Sequence, residues 1–261
     1  KRFLLIILFL FNVNCLFSQI SKVHYIPPIT SGGNDIEDQY IYLSTPSEAD
    51  VDYDIQIIGG GTISGTFNNT SPFRYDIGNG NNTQLAVNKN LSASIINNRG
   101  YIITASCPIY VSVRFNAGYD FNTDLHYHAG AFTSKGNAGL GTHFRTAMMP
   151  MGDRTSAALT NGFLSYVSIM ATEDNTIIKA SFPNANGSSN LINIGGVGAL
   201  PLSVDLMKGE SYIFAIEADN SNNVNNRFAL FGALIQSVDE NANEDPTKPI
   251  AVTVGSATGT F

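Results

Sequence analysis

The sequence predicts an all-β fold built as two tandem, related antiparallel β-sandwich lobes. Three observations lead there. Short runs of alternating apolar and polar residues recur along the chain, and clusters of Gly, Asn, Asp and Pro separate them. Amphipathic patterns of helical period are scarce. Charged residues make up only 13% of the chain, while Gly, Asn, Ser and Thr are abundant.

In chain order the first element is not a strand. Residues 3–11, "FLLIILFLF", follow Lys1 and Arg2. A basic start and an apolar run too short to span a bilayer read as a secretory signal peptide, with cleavage expected after Ser18. No other segment is long and apolar enough to cross a membrane. Removal of residues 1–18 leaves 12 Lys and Arg against 21 Asp and Glu, a formal charge of −9. An acidic surface repels phosphate backbones and anionic lipid, which argues against nucleic-acid or membrane-surface partners. Of the two cysteines, Cys15 leaves with the leader. Cys107 stays alone in "ITASCPIYVSV", where a small buried hydrophobe is expected.

The first lobe, residues 19–118, carries "YIYLS", "VDYDIQII", "TQLAV", "GYIITAS" and "IYVSVRF". Runs of this length, bounded by turn residues, are short strands. Asp50, Asp52 and Asp54 alternate and read as a solvent face. "GGGTISG", residues 59–65, follows a strand, but no helix follows it, so it reads as a hairpin turn and not as a dinucleotide loop. Residues 119–162 are expected to connect the lobes and to supply edge strands. The second lobe, residues 163–261, carries "YVSIMA", "NTIIKASF", "LPLSVDL", "SYIFAI", "FGALIQS" and "PIAVTV".

The second series echoes the first. "YIYLS" through "DIQI" parallels "YVSIM" through "IKASF", and an internal duplication accounts for the repetition. Arg99-Gly100 and Lys208-Gly209 each precede a Tyr-Ile strand. Pro108 and Pro249 each stand where a strand opens, a place that tolerates proline. On this pairing "CPIYVSV" matches "KPIAVTV", while "FALFGALIQS" and the acidic "VDENANEDPT" are additions to the second copy.

"HYIPPITSG", "NRGYIITAS", "FTSKGNAGLGTHFR", "YVSIMATEDNT", "KGESYIFA" and "KPIAVTVGSATGTF" together resemble the IgGFc-binding protein N-terminal domain family, over about His24 to Phe261. The resemblance implies the N-terminal module of a large, secreted, adhesin-like surface protein, of the kind found in gliding bacteria that use type IX secretion. Further C-terminal domains would then follow. The family supplies no catalytic residues to carry over.

Two constellations have metal-ligand spacing. In "TDLHYH", Asp124, His126 and His128 would share one face of a strand, and two imidazoles with a carboxylate suit zinc. In "DENANED", Asp239, Asn241 and Asn243 place oxygens at alternate positions, as calcium loops do, but the sixth-position Gly is missing and Ile250 stands at the twelfth position. Both read first as solvated polar segments, so neither a metal nor any other cofactor is expected. No Gly-x-Ser-x-Gly elbow, phosphate loop or His-Glu-x-x-His motif occurs, and an enzyme is not expected. The function expected is a non-catalytic binding or adhesion module for a protein or glycan ligand at the cell surface. Its contact loops would be residues 116–128 and 238–247. The alternative is a carbohydrate-binding sandwich. Against that stands the lack of Trp, although eleven Tyr could stack on sugars.

Overall fold

The computed structural model describes residues 20–32, 35–120, 125–150, 163–185, 189–196, 202–217 and 224–257. The leader, residues 1–18, lies outside them. Strands β1 (Ser21–Ile26), β2 (Ile29–Ser31), β3 (Ile36–Ser44), β4 (Val51–Ile57), β5 (Thr62–Phe67) and β6 (Phe73–Gly78) come first. They are followed by β7 (Ala86–Asn88), β8 (Ile95–Ile96) and the 20-residue β9 (Tyr101–Asp120). β10 (Leu125–Ser134) then adds to the first lobe and β11 (His143–Arg145) to the second. The second lobe holds β12 (Leu164–Ala171), β13 (Thr176–Ser181), β14 (Asn190–Leu191), β15 (Gly195–Gly196) and β16 (Leu202–Leu206). It continues with β17 (Ser211–Glu217), β18 (Leu234–Val238) and β19 (Ile250–Ala257). Beside short 3-10 turns, one helical turn spans Val224–Arg227.

β9 organises the first lobe by belonging to two sheets. Its first half pairs with β4 and β1, and its second half pairs with β3 and β10. One sheet therefore reads β5-β4-β9-β1 and the facing sheet β6-β3-β9-β10. Alternation supplies the core between them: Val51, Tyr53 and Ile55 of β4 point in, while Asp52, Asp54 and Gln56 are exposed. They meet Ile41, Leu43, Val111 and Val113 from the facing sheet. The β4–β5 hairpin closes on Gly59 (φ 75°), where the Ile57 N–H donates to the Gly61 carbonyl at 2.9 Å. A Cβ at Gly59 would lie 2.7 Å from the Asn98 Cα, so the turn needs glycine twice over.

Two expectations fail where β9 crosses between sheets. Pro108 does not open a strand but sits inside β9, at the crossing, where the ladder asks no N–H of it. Cys107 is exposed and not buried, because the crossing segment points away from the space between the sheets. There the Ser106 hydroxyl oxygen accepts from the Asp52 N–H at 3.0 Å, standing in for a ladder bond.

The second lobe packs sheet β11-β18-β13-β16 on sheet β15-β14-β17-β12-β19. Val167, Ile169 and Phe214 of one face Ile178, Ala180 and Ile235 of the other. The strand order repeats that of the first lobe. β12 lies between β17 and β19 as β3 lies between β6 and the second half of β9. β13 lies between β16 and β18 as β4 lies between β5 and the first half of β9. "YIYLS" and "YVSIM" thus hold corresponding places, as do "CPIYVSV" and "KPIAVTV". Two details of the expected pairing need correction. "SYIFAI" (β17) takes the place of β6 and not of "GYIITAS". "ALIQS" (β18) is the counterpart of the first half of β9 and not an addition. The acidic loop is the insertion that separates β18 from β19, whose counterpart β9 runs unbroken.

The lobes share an interface. β12 is buried at every position. Val167, Ile169 and Ala171 enter their own lobe's core, while Leu164 and Tyr166 join the first lobe's cluster beside Ile29 and Ile96. With both faces covered, even Ser165 and Ser168 are buried among the apolar side chains of the strand. β8 crosses over to pair with β17, Ile96 opposite Ser211, and Lys89 Nζ meets Glu217 Oε1 at 2.5 Å.

Candidate binding groove between the lobes

β10 ends in the first lobe and β11 begins in the second, so the chain between them bridges the two. This bridge walls a groove of about 490 Å³, closed on its other sides by Tyr25 of β1 and by Ala251, Val252 and Thr253 of β19.

His24 does not line the groove but ties together the elements that wall it. It shares the buried face of β1 with Ile26, in alternation with half-buried Val23 and Tyr25, and its ring is fully enclosed. Nε2 lies 3.1 Å from both the Ser21 and Ile109 carbonyls, and Nδ1 lies 3.0 Å from the Ser134 hydroxyl. Two carbonyls around Nε2 require a proton there, and in the neutral ring that burial favours, Nδ1 accepts from the Ser134 hydroxyl. Burial pushes its pKa below the ordinary His value, against the opposing pull of these hydrogen bonds. One side chain thereby ties β1, β9 and the end of β10. Gly136 (φ 54°) then turns the chain so closely over Ser21 that no side chain fits. The Asn137 N–H donates to the Ser21 hydroxyl at 3.3 Å.

Past the turn, Gly141 and Ile250 exchange backbone hydrogen bonds at 2.8 and 3.3 Å, which anchors the bridge on β19. Thr142 donates to the Glu244 carboxylate, and β11 then joins β18. The groove walls carry Tyr25, Phe132, Leu140 and Phe144, with exposed Lys135 and His143 on the rim. No carboxylate lines it among the described residues. Burial, and secondarily the charge of Glu173, raises the Tyr25 pKa, so its hydroxyl stays protonated.

The residues singled out from the sequence lie elsewhere. Asp124 is outside the described residues. His126 and His128 lie on β10, paired opposite Tyr119 and Ala117. Asp239 closes its own turn: Oδ1 accepts the Asn243 and Asn241 N–H groups at 2.8 and 2.9 Å. The Asn243 amide adds a bond to Oδ2 at 3.3 Å, and these bonds, chiefly those from Asn243, hold the Asp239 pKa below the usual carboxylate range. Among the described residues no three His, Cys, Asp or Glu side chains gather to hold a metal ion. Sequence reasoning missed His24 and the groove. The one available signal was a histidine at an inward position of an alternating strand.

A second surface covers the outer face of β3. Tyr40 and Tyr42 stand edge to face at 6.1 Å, with the Arg74 guanidinium 4.8 Å over Tyr40 and that of Arg114 5.2 Å over Tyr42. Cations thus occupy the ring faces that a sugar would need.

The fold and the groove define an all-β, two-sandwich module with a recess at the lobe junction. Residues 129–261 match the family model described as IgGFc binding protein, a little over half of the chain, and the chain belongs to that family. The match takes in the second half of β10, the whole bridge and the second lobe. The first lobe lies outside it, so the resemblance expected from His24 onward is found over the shorter span. No curated protein and no solved structure matches the chain.

Proposed function

We propose that the chain is a non-catalytic binding module that takes a protein ligand in the groove between its lobes. The observation that carries this is the groove's place within the family match: every wall except Tyr25 lies in residues 129–261. The family's description names a protein target, and apolar walls with a polar rim suit a protein segment. We further propose that the module is exported behind a signal peptide and stands at the N-terminus of a larger surface protein of a gliding bacterium. The leader and the resemblance support this, and no helix among the described residues is long and apolar enough to cross a membrane. The repeated strand order supports descent of the two lobes from one duplicated unit. A glycan ligand is the weaker alternative, because Arg74 and Arg114 cap the half-buried Tyr40 and Tyr42.

The test is a selection on immobilised chain with a displayed library of small folded domains, with an immunoglobulin Fc fragment and a glycan array run separately. Protein ligands should bind the wild type and lose at least about tenfold in affinity to Leu140→Arg, roughly 1.4 kcal/mol. Ligands indifferent to that change, or glycans retained in place of proteins, contradict the reading.

A further inference from the structure

We propose that the partner enters the groove as an extended strand, adding antiparallel to the free edge of β19 and directing an acidic side chain to Lys135. This rests on the reading that the groove takes a protein ligand, and it specifies how.

β19 ends its sheet: β12 pairs with one side, and among the described residues no strand pairs with the other. The Gly141–Ile250 bonds show which backbone groups face outward. Ile250 turns both its N–H and its C=O away from β12, so by the two-residue alternation of an antiparallel ladder Val252, Val254 and Ser256 do the same. The bridge begins an antiparallel pairing with β19 at this point and then departs into β11. From Val252 to Ala257 the strand is only half-buried at every position.

The first lobe shows what covers such an edge. There the strand corresponding to β19, the second half of β9, is paired along its length by β10, also antiparallel. The second lobe has no such strand among the described residues. Nor is its edge defended: "IAVTVGSA" contains no charge, no proline and no irregular register against β12. Edges left that plain are templates for strand addition. From Val252 to Ser256 the edge offers about 13 Å at roughly 3.3 Å per residue. Charge sets the partner's chemistry. On a chain of formal charge −7, the groove is lined by Lys135 and His143 and, among the described residues, by no carboxylate; Glu173, which acts on Tyr25 at the far wall, stands outside the lining.

The test uses a random linear peptide library displayed on phage, panned on the whole chain, with the enriched peptides then synthesised. Proline at Val254 removes an outward N–H without touching the β12 ladder, so Val254→Pro should weaken binding at least about tenfold. N-methylation of the peptide at alternate positions should do the same to wild-type protein, which keeps the result independent of how the variant folds. Lys135→Ala should weaken peptides bearing Glu or Asp and spare their Gln or Asn analogues. Peptides indifferent to Val254→Pro and to N-methylation, yet lost with Leu140→Arg, overturn strand addition and leave the groove reading intact. Failure to enrich any peptide, or indifference to Leu140→Arg as well, overturns both. A wild-type dimer that Val254→Pro makes monomeric would assign the edge to a second copy of this chain and overturn the proposal.

Discussion

The ring of Tyr166 on β12 fills the space above Gly255, its directly opposite partner on β19: a Cβ at Gly255 would lie 2.5 Å from the Tyr166 Cζ. Tyr53 stands in the same relation to Gly65, and Phe115 to Gly130, each pair opposite in its ladder. Three strands thus give up a side chain so that a cross-strand aromatic can lie flat on the sheet. Because Tyr166 is also packed into the first lobe's core, it cannot move aside cheaply. Gly255→Ala should destabilise by about 1–3 kcal/mol through overpacking, read as a lower denaturant midpoint at unchanged slope.

His24 should make stability depend on pH. Its folded pKa is lowered from 6.5, so the unfolded chain binds the proton first. The stability contributed by the neutral ring is complete above about pH 6.5 and declines as pH falls below that value toward the folded pKa. Denaturation curves at pH 7.5 and pH 5.5 should differ in this direction, and His24→Ala should flatten the difference. A wild type equally stable at both values contradicts the neutral, buried ring.

The lobes should unfold as one. Ile96 is 3% exposed and packs in a cluster that includes Leu164 and Tyr166. Ile96→Ala should cost about 2–4 kcal/mol through the lost contact and the cavity left behind. The ion pair across the same interface is partly solvated, and Lys89→Ala should cost under about 1 kcal/mol. Calorimetry should show a single transition for the wild type. Two resolved transitions would mean that β12 does not join the two cores.

Asp239 should act on its turn and not through a metal. Asp239→Ala should loosen residues 239–243, visible as faster amide exchange at Asn241 and Asn243, while a chelator leaves the wild-type melting temperature unchanged. A chelator-induced drop would restore the calcium reading of this loop.

Much of the fold was legible in the sequence, because alternation is a direct imprint of a half-buried strand. Val51, Tyr53 and Ile55 against Asp52, Asp54 and Gln56 is such a case. β12 was legible as a strand but not in its role, since "LSYVSIMA" does not say that two different cores lie on its faces. Cys107 and Pro108 misled because a strand that changes sheets has a stretch belonging to neither. β18 looked like an addition because its counterpart is half of a strand that never breaks. The groove was not legible at all. Its walls come from β1, the end of β10, the bridge, the start of β11 and β19, far apart in sequence, and the edge of β19 beside it is unpaired among the described residues, which no side-chain pattern spells out.

Amide hydrogen exchange of the whole chain, with and without a saturating protein ligand selected on the wild type, decides whether the groove between the lobes is the binding site. Residues 132–144 and 250–256 should gain protection, with the strongest gain at Val254 and Ser256, while the outer face around Tyr40, Tyr42 and Arg74 stays unchanged. Protection confined to that outer face, or none between the lobes, would contradict the groove as the binding site.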